Sequence, residues 1–485
     1  MAEIAPFRGI LYQPKAGEPS KLIAPPYDVI SDEERKQLEA LDPHNCVRLI
    51  LPQPEAKAAT PTGESKAAAE GAQGAGEGKA VEAPAVAAQG AAPGPKPAED
   101  DSRYQRAART LTEWLADGTL GRDERPALYR YHQTFTVDDR EITRRGFIAR
   151  IRLARFDEGV IMPHERTLSG PKADRLKLMR ATRAHFSQIF GLYSDPDRRT
   201  DQAFADLEAT PPALQGSTSD GVEHRVWRLV DREAQRQVAR HLSSEKIYIA
   251  DGHHRYETML ALRDELRQGG VSPRSAVEYG VMFFCNMDDP GLVVLPTHRV
   301  LFGLPHFERA DFLRRAREFF VVTEGPWAEP LVVKQALKGQ SKRGPVFALL
   351  TPGASTVAYL RLRGDLIVSS VPAMAGPRAL ERVDVALLHG LIFETMLGIS
   401  REAQAAQTNL GYVKDLHKAF GALDEAKVQA VFLMNPTPVA QVKAVADAGE
   451  VMPQKSTFFH PKIASGLVMN PVDPAEEVVP LDEAV

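Results

Sequence analysis

Apolar residues recur along this chain at two different periods, and the switches between them mark its elements. A run of ten residues, Leu128–Val137, and a second at 145–153 read as two strands of a hairpin turned at Asp138-Asp139. Further strands are predicted at 48–51, 246–250, 278–286, 346–350, 357–362 and 431–434. Helical spacing predicts an amphipathic helix at 104–115 that ends near Gly118. A second helix carries Leu176, Met179, Phe186, Ile189 and Phe190, and others fall at 310–320, 384–397 and 437–448. Ser31 with Glu34 marks another helix start. Strands cluster instead of alternating strictly with helices, so the pattern predicts an α+β fold. No internal repeat is visible.

One stretch interrupts this order. Residues 52–101 hold Ala, Gly, Pro, Glu and Lys without a single Leu, Ile, Met or aromatic side chain. Such a segment buries too little apolar surface to offset the entropy of ordering, so it reads as a disordered insertion. The expected organisation is a core of residues 1–51 and 102–300, the insertion, a smaller α/β domain at 301–380, a C-terminal region at 381–470 and a tail at 471–485.

The most concentrated chemistry lies at a strand-to-helix junction. The apolar run 246–250 breaks at Asp251-Gly252 into His253, His254 and Arg255, after which Met259, Leu262 and Leu266 continue at helical spacing to Gly269-Gly270. A helix start offers unpaired amides and a partial positive charge, glycine permits close approach, and arginine adds a bidentate grip. The pattern is that of a phosphate cradle, with Asp251 and a histidine near the group transferred. The plain alternative is a helix capped by Asp251.

Composition narrows the classes around that site. The 485 residues carry a net charge of −4 and a pI near 6.4, so no basic field for nucleic acid is expected. Two cysteines, Cys46 and Cys285, suit neither a disulfide framework nor a thiolate zinc site. No apolar run is long enough to span a bilayer, and no leader pattern opens the chain, so a cytoplasmic protein is expected.

Other polar groups are candidates for the same site. His164-Glu165-Arg166-Thr167 precedes Ser169-Gly170-Pro171-Lys172; Glu165 suits a general base, and Arg166 or Lys172 suits phosphate oxygens. Asp28 ends the stiff turn Pro25-Pro26-Tyr27 and is a second candidate carboxylate. His298 with Arg299, and Lys455, Ser456 and Thr457 with Lys462, offer hydroxyls and cations for a substrate. No Walker loop, dinucleotide fingerprint, zinc-protease motif or nucleophile elbow occurs.

The runs at 249–258, 163–167, 295–299 and 452–457 together resemble the DUF1015 family. That resemblance implies a ParB/sulfiredoxin-like mixed core with a smaller inserted or appended α/β domain. Members of that superfamily hold nucleotide phosphates on a loop similar to Gly252-His253-His254-Arg255. Where sulfiredoxins place a catalytic cysteine this chain has His253, which excludes sulfinic-acid repair. No basic stripe or helix-turn-helix supports a ParB-like DNA role. Free-serine kinases carry a similar Asp-Gly-His-His-Arg loop, and by that likeness the chain is expected to phosphorylate L-serine from ATP or ADP with Mg²⁺. Asp251 would take metal or substrate, and Glu165 or Asp28 would be the base. A nucleotide-sensing module without rapid turnover is the second reading, and a metal-dependent hydrolase the third.

Overall fold

A computed structural model of the chain describes residues 1–54, 101–165 and 169–481, with the side chains of 169–171 left out of the description. Arg166 and Thr167 therefore lie outside the described residues, as does nearly all of the Ala/Gly/Pro-rich segment. Its two ends meet on one surface, where Arg106 donates to the Pro54 carbonyl at 3.4 Å.

The hairpin predicted from the sequence forms the centre of the larger sheet. Asp138 and Asp139 both take positive φ, 48° and 59°, the backbone that a two-residue turn between twisted strands requires. Leu128–Val137 pairs with Arg140–Arg152, and seven more strands extend the sheet. On one side lie Tyr279–Asn286, Ile189–Tyr193, Ile247–Asp251 and the short edge Ile161–Met162. On the other lie Glu223–Leu229 and Leu214–Ser217, while Ile4–Ala5 pairs with Arg140–Arg152. Most pairs are antiparallel, but Ile247–Asp251 runs parallel to the edge strand. The core therefore mixes α and β, as the clustering of strands predicts.

A second sheet has six strands in the order Phe320–Pro326, Thr356–Leu362, Val346–Leu350, Val428–Leu433, His298–Phe302 and Leu410–Val413. It draws strands from both sides of the 301–380 span. Its apolar face packs on Asp384–Leu387, continued by a π-helical stretch at Leu388–Met396 where a regular helix was expected.

Three expectations are corrected. The segment 48–51 is not a strand: Asn45 accepts from the Val47 amide at 2.9 Å and turns the chain into a short helix, Val47–Ile50. That helix packs with Ser102–Ala116, itself the amphipathic helix expected before Gly118. The helix carrying Leu176 and Met179 is Ser169–Thr182, and Phe186, Ile189 and Phe190 lie beyond it. Arg183 at φ 48° breaks the helix, and the apolar residues that follow enter strand or loop. The helix expected at 310–320 stops at Ala316, with Phe320 already in a strand. Among the described residues no helix is long and apolar enough to cross a membrane.

Candidate functional site

The strand Ile247–Asp251 delivers its last side chain to the site, and Gly252 turns the chain into the helix His253–Arg267. Gly252 has φ 93°, a left-handed backbone that favours glycine. A Cβ there would also lie 3.1 Å from the Arg255 guanidinium carbon. No side chain caps this helix. The amides of its first turn, at His253, His254 and Arg255, stand outside the helix's own hydrogen-bond ladder and carry its positive end.

Arg255 does not reach outward as expected. Its terminal nitrogens hold Asp251, at 2.6 Å, and the Gln188 carbonyl, and the side chain is buried beneath the Gly252 bend. It fixes the loop's shape. Asp251 bonds Lys462 through its other oxygen. Burial alone would raise the Asp251 carboxyl pKa, but Lys462 and then Arg255 hold it well below the carboxylate range.

His253 also turns inward. Its Nε2 accepts from the His164 amide at 3.3 Å, and the two rings meet edge to face at 4.7 Å. His164 donates from Nδ1 to the Ile249 carbonyl at 2.7 Å, so its Nε2 accepts from Thr457 Oγ at 2.9 Å. Burial lowers the pKa of both imidazoles, His164 to about 4, and keeps them neutral. They are scaffold, joining the strand, the 164–165 segment and the 455–457 turn. His254 is half-buried and feels the charges of Glu257, Lys172, Glu165 and Asp28. Lys172 bonds Glu257 at 2.8 Å beside it.

Glu165 is held by a parallel bridge to Met452, whose amide donates to the His164 carbonyl at 2.9 Å. Among the described residues its buried Oε1 has no hydrogen-bond partner. Burial raises its pKa against the pull of Lys462 and Lys455. This is an acid kept basic, with one oxygen uncommitted.

Cations surround it. Lys455 sits at φ 57° in an exposed turn. Lys414 and Lys462 both lie over the Phe458 ring, at 3.6 and 5.0 Å from its centroid. Burial, then Lys462 and Lys455, push the Lys414 pKa down to about 8. Asp28 is exposed in the middle of the Tyr27–Val29 turn, and its charge is felt by Lys414 and His254.

The sequence candidates therefore divide. Asp28, Glu165, Lys172, Asp251, Gly252, His253, His254, Arg255, Lys455, Ser456 and Thr457 converge. Ser456 faces inward, its hydroxyl on the Pro453 carbonyl at 2.5 Å. Arg299 is a buried strut that donates to the Lys455 carbonyl at 3.2 Å and to His389 Nε2 at 3.3 Å. His298 stands apart: it accepts from the Met434 amide at 3.2 Å, next to the charges of Arg299, Lys334 and Asp415. Alternation along the strand sends it to the opposite face from Arg299. Lys414 and Tyr27 were missed. Lys414 gives no local signal, whereas Tyr27, near the charges of Arg255 and Asp251, belongs to the Pro-Pro-Tyr-Asp turn.

Among the described residues no group of three or more His, Cys, Asp or Glu side chains converges to hold a metal ion. Asp251 does not fit the metal role expected of it, because both oxygens are engaged by cations that a divalent ion would have to displace. The donor set instead suits an anion: helix amides, three lysines and an opened glycine bend.

This is a mixed α/β protein with lysines and carboxylates gathered at a strand-to-helix turn. The chain belongs to the DUF1015 family, a family of proteins of unknown function, which it matches over residues 4–75 and 87–386. The match stops short of the 452–457 segment. No curated protein matches the chain. Among solved structures, it is similar to a free serine kinase in complex with ADP, at 13% identity and a TM-score of 0.32, over 70% of this chain and 94% of that one. A conserved hypothetical protein from Pyrococcus furiosus is similar at 14% identity and a TM-score of 0.30, over 70% and 97%. SbnI with a C-terminal truncation, from Staphylococcus aureus, follows at 11% identity and a TM-score of 0.29, over 69% and 88%.

Proposed function

We propose that the protein transfers a phosphoryl group from a nucleotide, ATP or ADP, to a small hydroxyl compound, L-serine first. The larger sheet with its 251–255 loop would then be a ParB/sulfiredoxin-like core, and the second sheet its smaller partner domain. One observation carries this reading: the free, buried Oε1 of Glu165 stands among lysines at an uncapped helix start. An acid of raised pKa is suited to take a hydroxyl proton near neutral pH. Amides and lysines are suited to bear phosphate charge.

In this reading the nucleotide's terminal phosphates rest on the amides at 253–255, with Lys462, Lys455 and Lys414 offsetting their charge. Glu165 accepts the proton of the serine hydroxyl as its oxygen bonds to phosphorus and the bond to the leaving phosphate oxygen breaks. Asp251 and Arg255 hold the loop, and Lys172 with His254 line its outer side. Mg²⁺, where bound, supplies further charge neutralisation on the phosphates. Asp251 as placed is not its ligand.

Incubation with ATP or ADP and L-serine, followed by phosphorus NMR, tests this. O-phosphoserine that forms with the wild type and fails to form with Glu165→Gln supports it. Nucleotide binding without product in any hydroxyl amino acid would instead fit a sensing module.

A further inference from the structure

A cavity elsewhere in the molecule is lined by none of those residues. Between the π-helical stretch Leu388–Met396 and the 450–454 segment is a cavity of about 340 Å³. This is the small end of the range, about 300–1,000 Å³, that ligand pockets occupy. π-Helical turns are rare and recur at functional sites. The wider turn is fitted closely here: a Cβ at Gly390 would collide with Met374 Sδ across the cavity wall. The floor is neutral. His389 donates from Nδ1 to Gln404 Oε1 at 2.7 Å, accepts from Arg299, and is kept uncharged by burial.

The charges belong to Arg401, Glu394 and Glu450, which line the same cavity. Arg401 is exposed and braced, bonding Glu394 at 2.9 Å and the Ala373 carbonyl at 2.8 Å. Two acids and one guanidinium disfavour a phosphate or nucleotide. A simple amine would add nothing for Arg401 beyond its bond to Glu394, and a simple acid would add nothing for Glu450. A zwitterion meets both signs, and the apolar side chains of Met374, Leu380 and Met452 suit an uncharged side chain.

We propose that this cavity is a second small-molecule site, and that its ligand is a free amino acid with an uncharged side chain. The inference does not depend on phosphoryl transfer. Calorimetric titration of the full chain with L-alanine, L-valine and L-methionine tests it, since none of these can accept a phosphoryl group. At least one is expected to bind, with methylamine and acetate binding far more weakly. Arg401→Gln and Glu450→Gln should each weaken that binding about tenfold or more, the worth of a charged hydrogen bond. Glu165→Gln should leave it unchanged. The proposal is overturned if none of the three binds, if methylamine or acetate binds as well, or if Glu165→Gln abolishes binding that both rim variants retain.

Discussion

Replacing Lys462 with methionine removes one of the two cations that hold Asp251 while keeping most of the side-chain volume. Both side chains are largely withdrawn from water, at 15% and 14% exposure, so solvent cannot take over. Breaking a buried pair costs about 3–5 kcal/mol; with Arg255 still in place, a loss near the lower figure, about 3 kcal/mol, is expected. For a cooperative unit of some two hundred residues that lowers Tm by roughly 6–12 °C. Acidity supplies the control. Asp251 has a folded pKa depressed below its unfolded value, so its stabilising contribution is present above the ordinary carboxylate range and is lost as pH falls. The gap between wild type and Lys462→Met should therefore be widest near pH 7 and shrink below about pH 4. Thermal unfolding followed by circular dichroism across that range measures both, with Lys462→Arg as the charge-preserving comparison. An unchanged Tm at pH 7, or a gap that grows on acidification, would refute the assignment of Lys462 as the counter-ion of Asp251.

Three further outcomes follow from the same geometry. Glu165→Gln should reduce phosphoserine formation about 10²–10⁴-fold in a product assay. It should also raise Tm at pH 8 but not at pH 4, because a carboxyl whose folded pKa is raised loses stability as pH climbs past its unfolded value. Gly252→Ala places a side chain at φ 93° against Arg255, so about 1–2 kcal/mol of destabilisation and weakened nucleotide binding are expected in urea unfolding and calorimetry. Nucleotide affinity should fall as pH rises through about 8, where Lys414 loses its charge, and Lys414→Arg should flatten that dependence in titrations at pH 7 and 9.

Much of the fold could be read from local chemistry. Asp138-Asp139 announced the hairpin, Ser31 and Glu34 form the capping box their spacing implies, and Gly252 sits at the positive φ its position demands. The misreadings share a cause. Residues 48–51 are as apolar as a strand, and a single Asn45 side chain decides otherwise. Phe186–Phe190 continues the apolar run of the helix before it, and one left-handed residue, Arg183, ends that helix. At the site, motifs revealed which residues converge but not which way they face. Arg255 has the chemistry of an anion grip, yet a carbonyl and a carboxylate within its own loop claim it first. Lys414 and Lys462 meet on Phe458 only through tertiary folding, which no spacing rule encodes.

The stretch from Met452 to Lys462 stitches the molecule shut. It pairs with Glu165, bonds His164 and Asp251, and lays Phe458–His460 beside Val293–Leu295. Most of the groups it meets were synthesised some two to three hundred residues earlier. During translation this cluster consequently stays half-built, with Asp251 short of a cation and Glu165 without its bridge to Met452, until the ribosome has delivered position 462. A nascent chain that has completed the larger sheet's named strands would still lack Lys462 beside Asp251 and Thr457 beside His164.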